Sequence, residues 1–202
     1  MDRVQRSLKL LLLAVLCSGC GGPTIRPLSK DSVVVAFGDS LTAGEGVDGN
    51  ETYPALLAGR LGCRVINCGV SGELTAGGRR RLPAVLQEYR PDLVVLCHGG
   101  NDLLQRVDAR EIAANLGSMI AMIKSRGADV LLVGVPEPRL IIKTAPFYRQ
   151  LAKEYRIPCE ARILEEVLSS PSLKGDPIHP NGKGNERLAG ALADLIQRSQ
   201  AR

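Results

Sequence analysis

Val33-Val34-Val35-Ala36-Phe37-Gly38-Asp39-Ser40-Leu41 is the stretch whose reading decides the fold. An apolar, β-branched run without polar interruption is what a parallel strand buried on both faces requires. It ends on a glycine that hands Asp39 and Ser40 to the next element. Ligands in open α/β sheets bind beyond the carboxyl ends of the strands, so Ser40 stands where a nucleophile is useful. Gly-Asp-Ser is equally ordinary turn and helix-capping chemistry, and the segment alone does not choose between the two. Outward from it, apolar runs near 64–67, 93–98, 129–135 and 157–161 read as further strands. Amphipathic stretches near 53–61, 74–89, 109–126, 145–156 and 181–199 read as helices. Such alternation predicts βαβ units and an α/β fold with a parallel sheet. On the last helix Leu188, Leu192, Leu195 and Ile196 recur at helical spacing and should face the sheet, with Pro180 near its first turn.

Serine is a weak nucleophile unless a base takes its proton, and the chain has 2 histidines from which to choose. His179 lies in Asp176-Pro177-Ile178-His179-Pro180-Asn181, three residues after a carboxylate that can reach the imidazole within one turn of chain and fix its tautomer. His98 closes the apolar run Leu93-Val94-Val95-Leu96-Cys97-His98, where a structural or pocket-lining role is expected. His179 is therefore the candidate base and Asp176 its partner. No glycine stands two residues away on both sides of Ser40, so this is not the strained GxSxG elbow, and Ser71 fails that pattern too.

These residues resemble the SGNH, or GDSL, hydrolase superfamily, in particular its bacterial arylesterase and acyl-CoA thioesterase I/lysophospholipase L1 type, from about Val33 to Ile196. Gly38-Asp39-Ser40-Leu41 is similar to the first family block, Asn67-Cys68-Gly69-Val70-Ser71-Gly72 to the second, Gly99-Gly100-Asn101-Asp102 to the third, and Asp176 with His179 to the final DxxH pair. Four blocks in order are far more specific than any one. The resemblance implies a three-layer sandwich with a five-stranded parallel sheet in flavodoxin-like order 2-1-3-4-5. It implies Ser40 as nucleophile, Asp176 and His179 completing the triad, and an oxyanion hole formed by the Ser40 and Gly72 N–H groups and the Asn101 amide. No metal or organic cofactor is required for such acyl transfer. Asp39, Asn67, Glu73, Thr75 and Asp102 are expected to hold turns rather than to move protons. His98 stands where an aliphatic residue is frequent, and lining the acyl pocket is one role open to it.

The N-terminus carries a separate message. Arg3, Arg6 and Lys9 precede the apolar Leu10–Leu16 run, and Ser18-Gly19-Cys20 follow. This reads as a secretory signal, too short for the ~20 residues of a membrane span. Small residues before Cys20 resemble a lipobox, although Cys17 stands where leucine is usual. The expected organisation is a signal peptide at 1–19, a Gly/Pro-containing linker at 20–31 and a hydrolase domain at 32–202. Lipidated Cys20 would then tie an exported protein to the cell envelope, with plain secretion as the alternative. Without residues 1–19 the chain has 23 basic and 20 acidic residues, a balance of +3 too weak to argue for nucleic acid. Tryptophan is absent and aromatic residues make up 3%, which removes the stacking platforms used for single strands. Cys63, Cys68, Cys97 and Cys159 show no metal spacing. Buried free thiols are expected, with a Cys63–Cys68 bridge left open.

The expected partner is a small ester or lipid, hydrolysed by a monomer. Pro136-Glu137-Pro138-Arg139-Leu140-Ile141-Ile142-Lys143 reads either as a wall of the acyl groove or as a loop packed on the core. A carbohydrate O-acetylesterase of the same superfamily and a silent ligand-binding lipoprotein are the rival readings.

Overall fold

The computed structural model describes residues 22–200. In chain order its elements are β1 (Val33–Gly38), α1 (Ser40–Ala43), α2 (Tyr53–Leu61), β2 (Arg64–Gly69), α3 (Thr75–Tyr89), β3 (Leu93–Cys97), α4 (Gly100–Leu104), α5 (Ala109–Ser125), β4 (Asp129–Val133), β5 (Pro136–Glu137), β6 (Lys143–Thr144), α6 (Pro146–Tyr155), β7 (Cys159–Glu160), α7 (Ile163–Ser169) and α8 (Gly182–Ser199). The main sheet has 5 parallel strands in the order β2-β1-β3-β4-β7. This is the expected 2-1-3-4-5 arrangement with β7 as the fifth strand. Helices α2, α7 and α8 pack together in one layer, and α3, α5 and α6 in another.

The two central strands are apolar because neither face meets water: Val34 to Phe37 and Leu93 to Cys97 have no exposed surface. On α5, Ile112, Leu116, Met119, Ile120 and Ile123 make the buried stripe, and on α8 Leu188, Leu192 and Ile196 do the same while Leu195 is only half-buried. Burying each such side chain stabilises the domain by about 1.5–3 kcal/mol. At the carboxyl edge the backbones crowd. A Cβ on Gly38 would collide with the Cys97 carbonyl, and one on Gly69 with the backbone of Ala43. Glycine at both strand ends therefore lets β1, β2 and β3 deliver their loops to one place.

Several expectations need correction. The fifth strand is 2 residues long rather than spanning 157–161. Pro180 does stand next to the first turn of the last helix, directly before the cap Asn181, whose side chain accepts from Gly184 N–H at 3.0 Å. The short helices α1, α4 and α7 were not anticipated, nor was the antiparallel β5–β6 hairpin. The signal segment and Cys20 lie outside the described residues. Of the stretch read as a linker, Ile25 is fully buried and its N–H donates to Ser199 O at 2.7 Å. Arg26 bonds the Asp129 carboxylate through both its backbone N–H and its guanidinium, which also reaches the carbonyls of Asp92 and Gly127. The chain is thus docked from Ile25 onward. Cys63, Cys68, Cys97 and Cys159 are all free, so no bridge joins Cys63 to Cys68. Burial pushes all four thiols up, Cys159 to about 12, which keeps them protonated and inert.

Candidate active site

Ser40 is the first residue of α1, a single turn set up by its neighbour: Asp39 Oδ1 accepts from Leu41 N–H at 3.1 Å. Asp39 Oδ2 accepts from Gly100 N–H at 3.1 Å, so one buried carboxylate joins the loops that follow β1 and β3. Burial pushes the Asp39 carboxyl up, opposed by the neighbouring His98 ring and the N–H groups around it. Both of its oxygens are committed to backbone donors, which fits a structural acceptor better than a proton carrier.

His179 arrives from the loop between α7 and α8. Its Nε2 lies 2.9 Å from Ser40 Oγ and its Nδ1 lies 2.7 Å from Asp176 Oδ2. Asp176 Oδ1 accepts from the N–H groups of Ile178 and His179, each at 2.8 Å. Partial burial alone would raise this carboxyl, but the bond to His179 and the two backbone donors outweigh it and hold Asp176 below its ordinary value. The carboxylate is thereby fixed in its charged form with one oxygen on the imidazole. Ser40, His179 and Asp176 form one continuous hydrogen-bonded line.

The loop after β2 comes alongside through Val70 N–H, which donates to Gly38 O at 3.0 Å. Gly72 follows at φ +78°, a left-handed conformation that favours glycine. The N–H groups of Ser40 and Gly72 donate to no acceptor among the described residues. Asn101, in α4, gives one amide hydrogen to Glu73 O at 3.1 Å and lines the cleft beside Ser40. Ser71 points elsewhere, its hydroxyl donating to Glu45 at 2.6 Å.

The cleft over Ser40 holds about 220 Å³ and its walls include Leu41, Leu104, Val135, Ile142, Leu168 and Ile178. Pro138 and Arg139 of the β5–β6 hairpin edge it, but the tip does not pack on the core: Leu140 is fully exposed and Ile141 is 69% exposed. His98 does not line this cleft. It is wholly buried behind the Gly99-Gly100 turn, accepting from Gly99 N–H at Nδ1, with Nε2 3.2 Å from Glu73. Asp102 accepts from Thr75 N–H and Thr75 Oγ1, and Asn115 of α5 donates to that hydroxyl. From the sequence Glu73, Thr75 and Asp102 read as turn residues, and Arg81 and Asn115 carry no role. The available signal was Gly77-Gly78 at the start of a helix, a poor helix sequence that announces a close neighbour.

Residues 36–187 match the model of the GDSL-like lipase/acylhydrolase family. The chain belongs to that family. It is a GDSL/SGNH esterase-type hydrolase, and named relatives span nearly its whole length. Esterase TesA of Pseudomonas aeruginosa is 34% identical over 187 residues, covering 87% of this chain and 93% of the relative. The thioesterase 1/protease 1/lysophospholipase L1 of Escherichia coli strain K12 is 30% identical over 182 residues, covering 86% of this chain and 87% of the relative. The crystal structure of TesA superposes with a TM-score of 0.75 at 32% identity, covering 82% of this chain and 98% of that one. The GDSL hydrolase described here therefore shares both the family sequence and the family fold.

Proposed function

We propose that the protein hydrolyses carboxylic esters through a covalent acyl-Ser40 intermediate. The observation that carries this reading is the unbroken line from Ser40 Oγ through His179 to Asp176, opening into an apolar cleft. Ser40 Oγ attacks the ester carbonyl as His179 Nε2 takes its proton, and Asp176 holds the imidazole and stabilises the imidazolium that forms. The oxyanion falls among the Ser40 N–H, the Gly72 N–H and the second amide hydrogen of Asn101. Donors aimed at developing charge are worth about 3 kcal/mol each. His179 then protonates the departing alkoxide, and a water activated by the same imidazole releases the acid and restores Ser40.

The cleft favours an alkyl or acyl chain of short to medium length, since its walls are aliphatic and its outer edge is open. Thioesters and lysophospholipids are carried over as candidate substrates from the relatives' names. We read the enzyme as a monomer exported to the cell envelope and lipidated at Cys20; what supports export and lipidation is the basic and then apolar N-terminus ending in Ser18-Gly19-Cys20. Two acyl chains with a modified amine supply the double signal that stable anchoring needs.

A chain-length series of p-nitrophenyl esters, run with a fluorophosphonate probe, tests the chemistry. Labelling confined to Ser40 and abolished by Ser40→Ala is the expected result, and an adduct on Ser71 overturns the nucleophile. Metabolic labelling with a clickable fatty acid tests the anchor: label on the wild type and none on Cys20→Ala supports it, and an unlabelled wild type refutes it.

A further inference from the structure

The oxyanion donors sit on separate loops, after β1, β2 and β3, and one residue ties two of them together. Glu73 directly follows Gly72, and its backbone carbonyl is the acceptor for Asn101 Nδ2 at 3.1 Å. Its carboxylate is gripped from two sides. Arg81 of α3 bonds it bidentately, Nε to Oε1 at 3.0 Å and Nη2 to Oε2 at 2.7 Å. His98, at the end of β3, meets Oε2 at 3.2 Å, and Gly99 N–H donating to His98 Nδ1 leaves the ring proton on Nε2, pointed at that carboxylate. Arg81 is fixed in turn by a bond to Cys68 O at 3.1 Å and by the Phe37 ring 4.1 Å below its guanidinium carbon.

The surrounding sequence makes room for this arrangement. Gly77 and Gly78 open α3, although glycine is the poorest helix former after proline. A Cβ on Gly78 would strike the His98 ring, and a Cβ on Gly77 would press on the Glu73 side chain at 3.1 Å. Helix propensity has been given up where Glu73 and His98 need space. A primary amide with one hydrogen tied to a fixed carbonyl aims the other in a fixed direction, whereas an untied amide rotates.

We propose that Glu73, clamped by Arg81 and His98, is the positioning residue that orients the Asn101 amide toward the oxyanion. This rests on the reading of Asn101 as an oxyanion donor, and the test separates the two. Glu73→Gln keeps the shape and removes the charge on which the clamp depends. With a p-nitrophenyl ester it lowers kcat about tenfold and leaves KM unchanged, because the misaimed donor is missed only in the transition state. In an Asn101→Ala background the same substitution costs less than about twofold, since no amide is left to orient. Arg81→Lys, which keeps a cation but loses the bidentate grip, shows the same dependence on Asn101 and serves if Glu73→Gln does not fold. An equal loss in both backgrounds, or an unchanged kcat for Glu73→Gln in the wild-type background, overturns the positioning role. An Asn101→Ala enzyme with undiminished kcat instead overturns the donor reading itself.

Discussion

On one side of Ser40 the cleft is lined by Asp39, Gly100 and Asn101 and backed by a network of carboxyl side chains that are buried or nearly so. Asp39, Glu73 and Asp102 each accept at least two hydrogen bonds, and no buried side-chain polar atom among the described residues lacks a partner. On the other side the β5–β6 hairpin offers Pro138, Ile142 and an exposed Leu140–Ile141 tip, held chiefly by its own two pairs of strand residues and by Glu165, which binds Thr144 and Lys143. A buried polar network has few alternative arrangements of equal energy, so the Asn101 amide that is tied to it keeps one orientation. A thinly packed apolar hairpin has many, and local opening there costs little. The polar wall suits the part of the reaction that is the same for every ester, and the apolar wall the part that differs between acyl chains.

The largest effects belong to the line between the walls. Ser40→Ala or His179→Ala should lower kcat by about 10⁴–10⁶-fold without loss of fold, read by steady-state kinetics beside circular dichroism. Damage from His98→Ala as great as from His179→Ala would refute the assignment of the base. Next comes the polar wall: Asn101→Ala should cost roughly 10²–10³-fold in kcat with KM little changed. A change confined to KM would make Asn101 a ground-state contact and erase the distinction between the walls.

A third effect is on stability. Burial alone would raise the Glu73 carboxyl, but the hydrogen bonds from His98 and Arg81 and the Arg81 charge bring it down to about 2. A carboxyl depressed in the folded state contributes stability above its unfolded value of about 4.3, and that contribution fades as pH falls through the folded value. Urea midpoints of the wild type and Glu73→Gln should therefore differ near neutrality and converge between about pH 4.5 and 2. A constant gap would show that the clamp does not depend on charge. The smallest effect is on the apolar wall, where Leu140→Ser with Ile141→Ser should raise KM for long-chain esters about fivefold, for about 1 kcal/mol of lost apolar contact, and leave acetyl esters unchanged. Equal effects on both substrates would mean that the hairpin acts on the polar wall after all.

The parts of this molecule that were legible in sequence are those where chemistry leaves no choice. Central strands must be apolar on both faces, which exposed Val33–Phe37 and Leu93–Cys97, and a serine hydrolase needs an imidazole with a carboxylate behind it, which left Asp176 and His179. Strand order followed from crossover handedness and family resemblance together. The hairpin was illegible because Pro136–Lys143 has neither alternation nor a turn dipeptide. Helices α1, α4 and α7 are too short for periodicity to register. The clamp was hidden because its residues are scattered along the chain, and only the fold brings Glu73, Arg81 and His98 to one carboxylate.

The docked Ile25 has a consequence for how an anchored molecule would stand. Arg26 bonds to Gly127, Asp92 and Asp129, at the starts of β3 and β4, whereas Ser40 follows the end of β1. The two poles are separated by the length of a strand, about 20 Å for six residues. A lipid on Cys20 would have a leash of five residues, at most about 18 Å when fully drawn out, before the chain is seized at Ile25. So short a leash would seat the pole that holds Arg26 against the bilayer and turn the mouth over Ser40 outward. Such an enzyme would graze on esters that diffuse to it, while lipids still embedded in its own supporting membrane would lie behind its back.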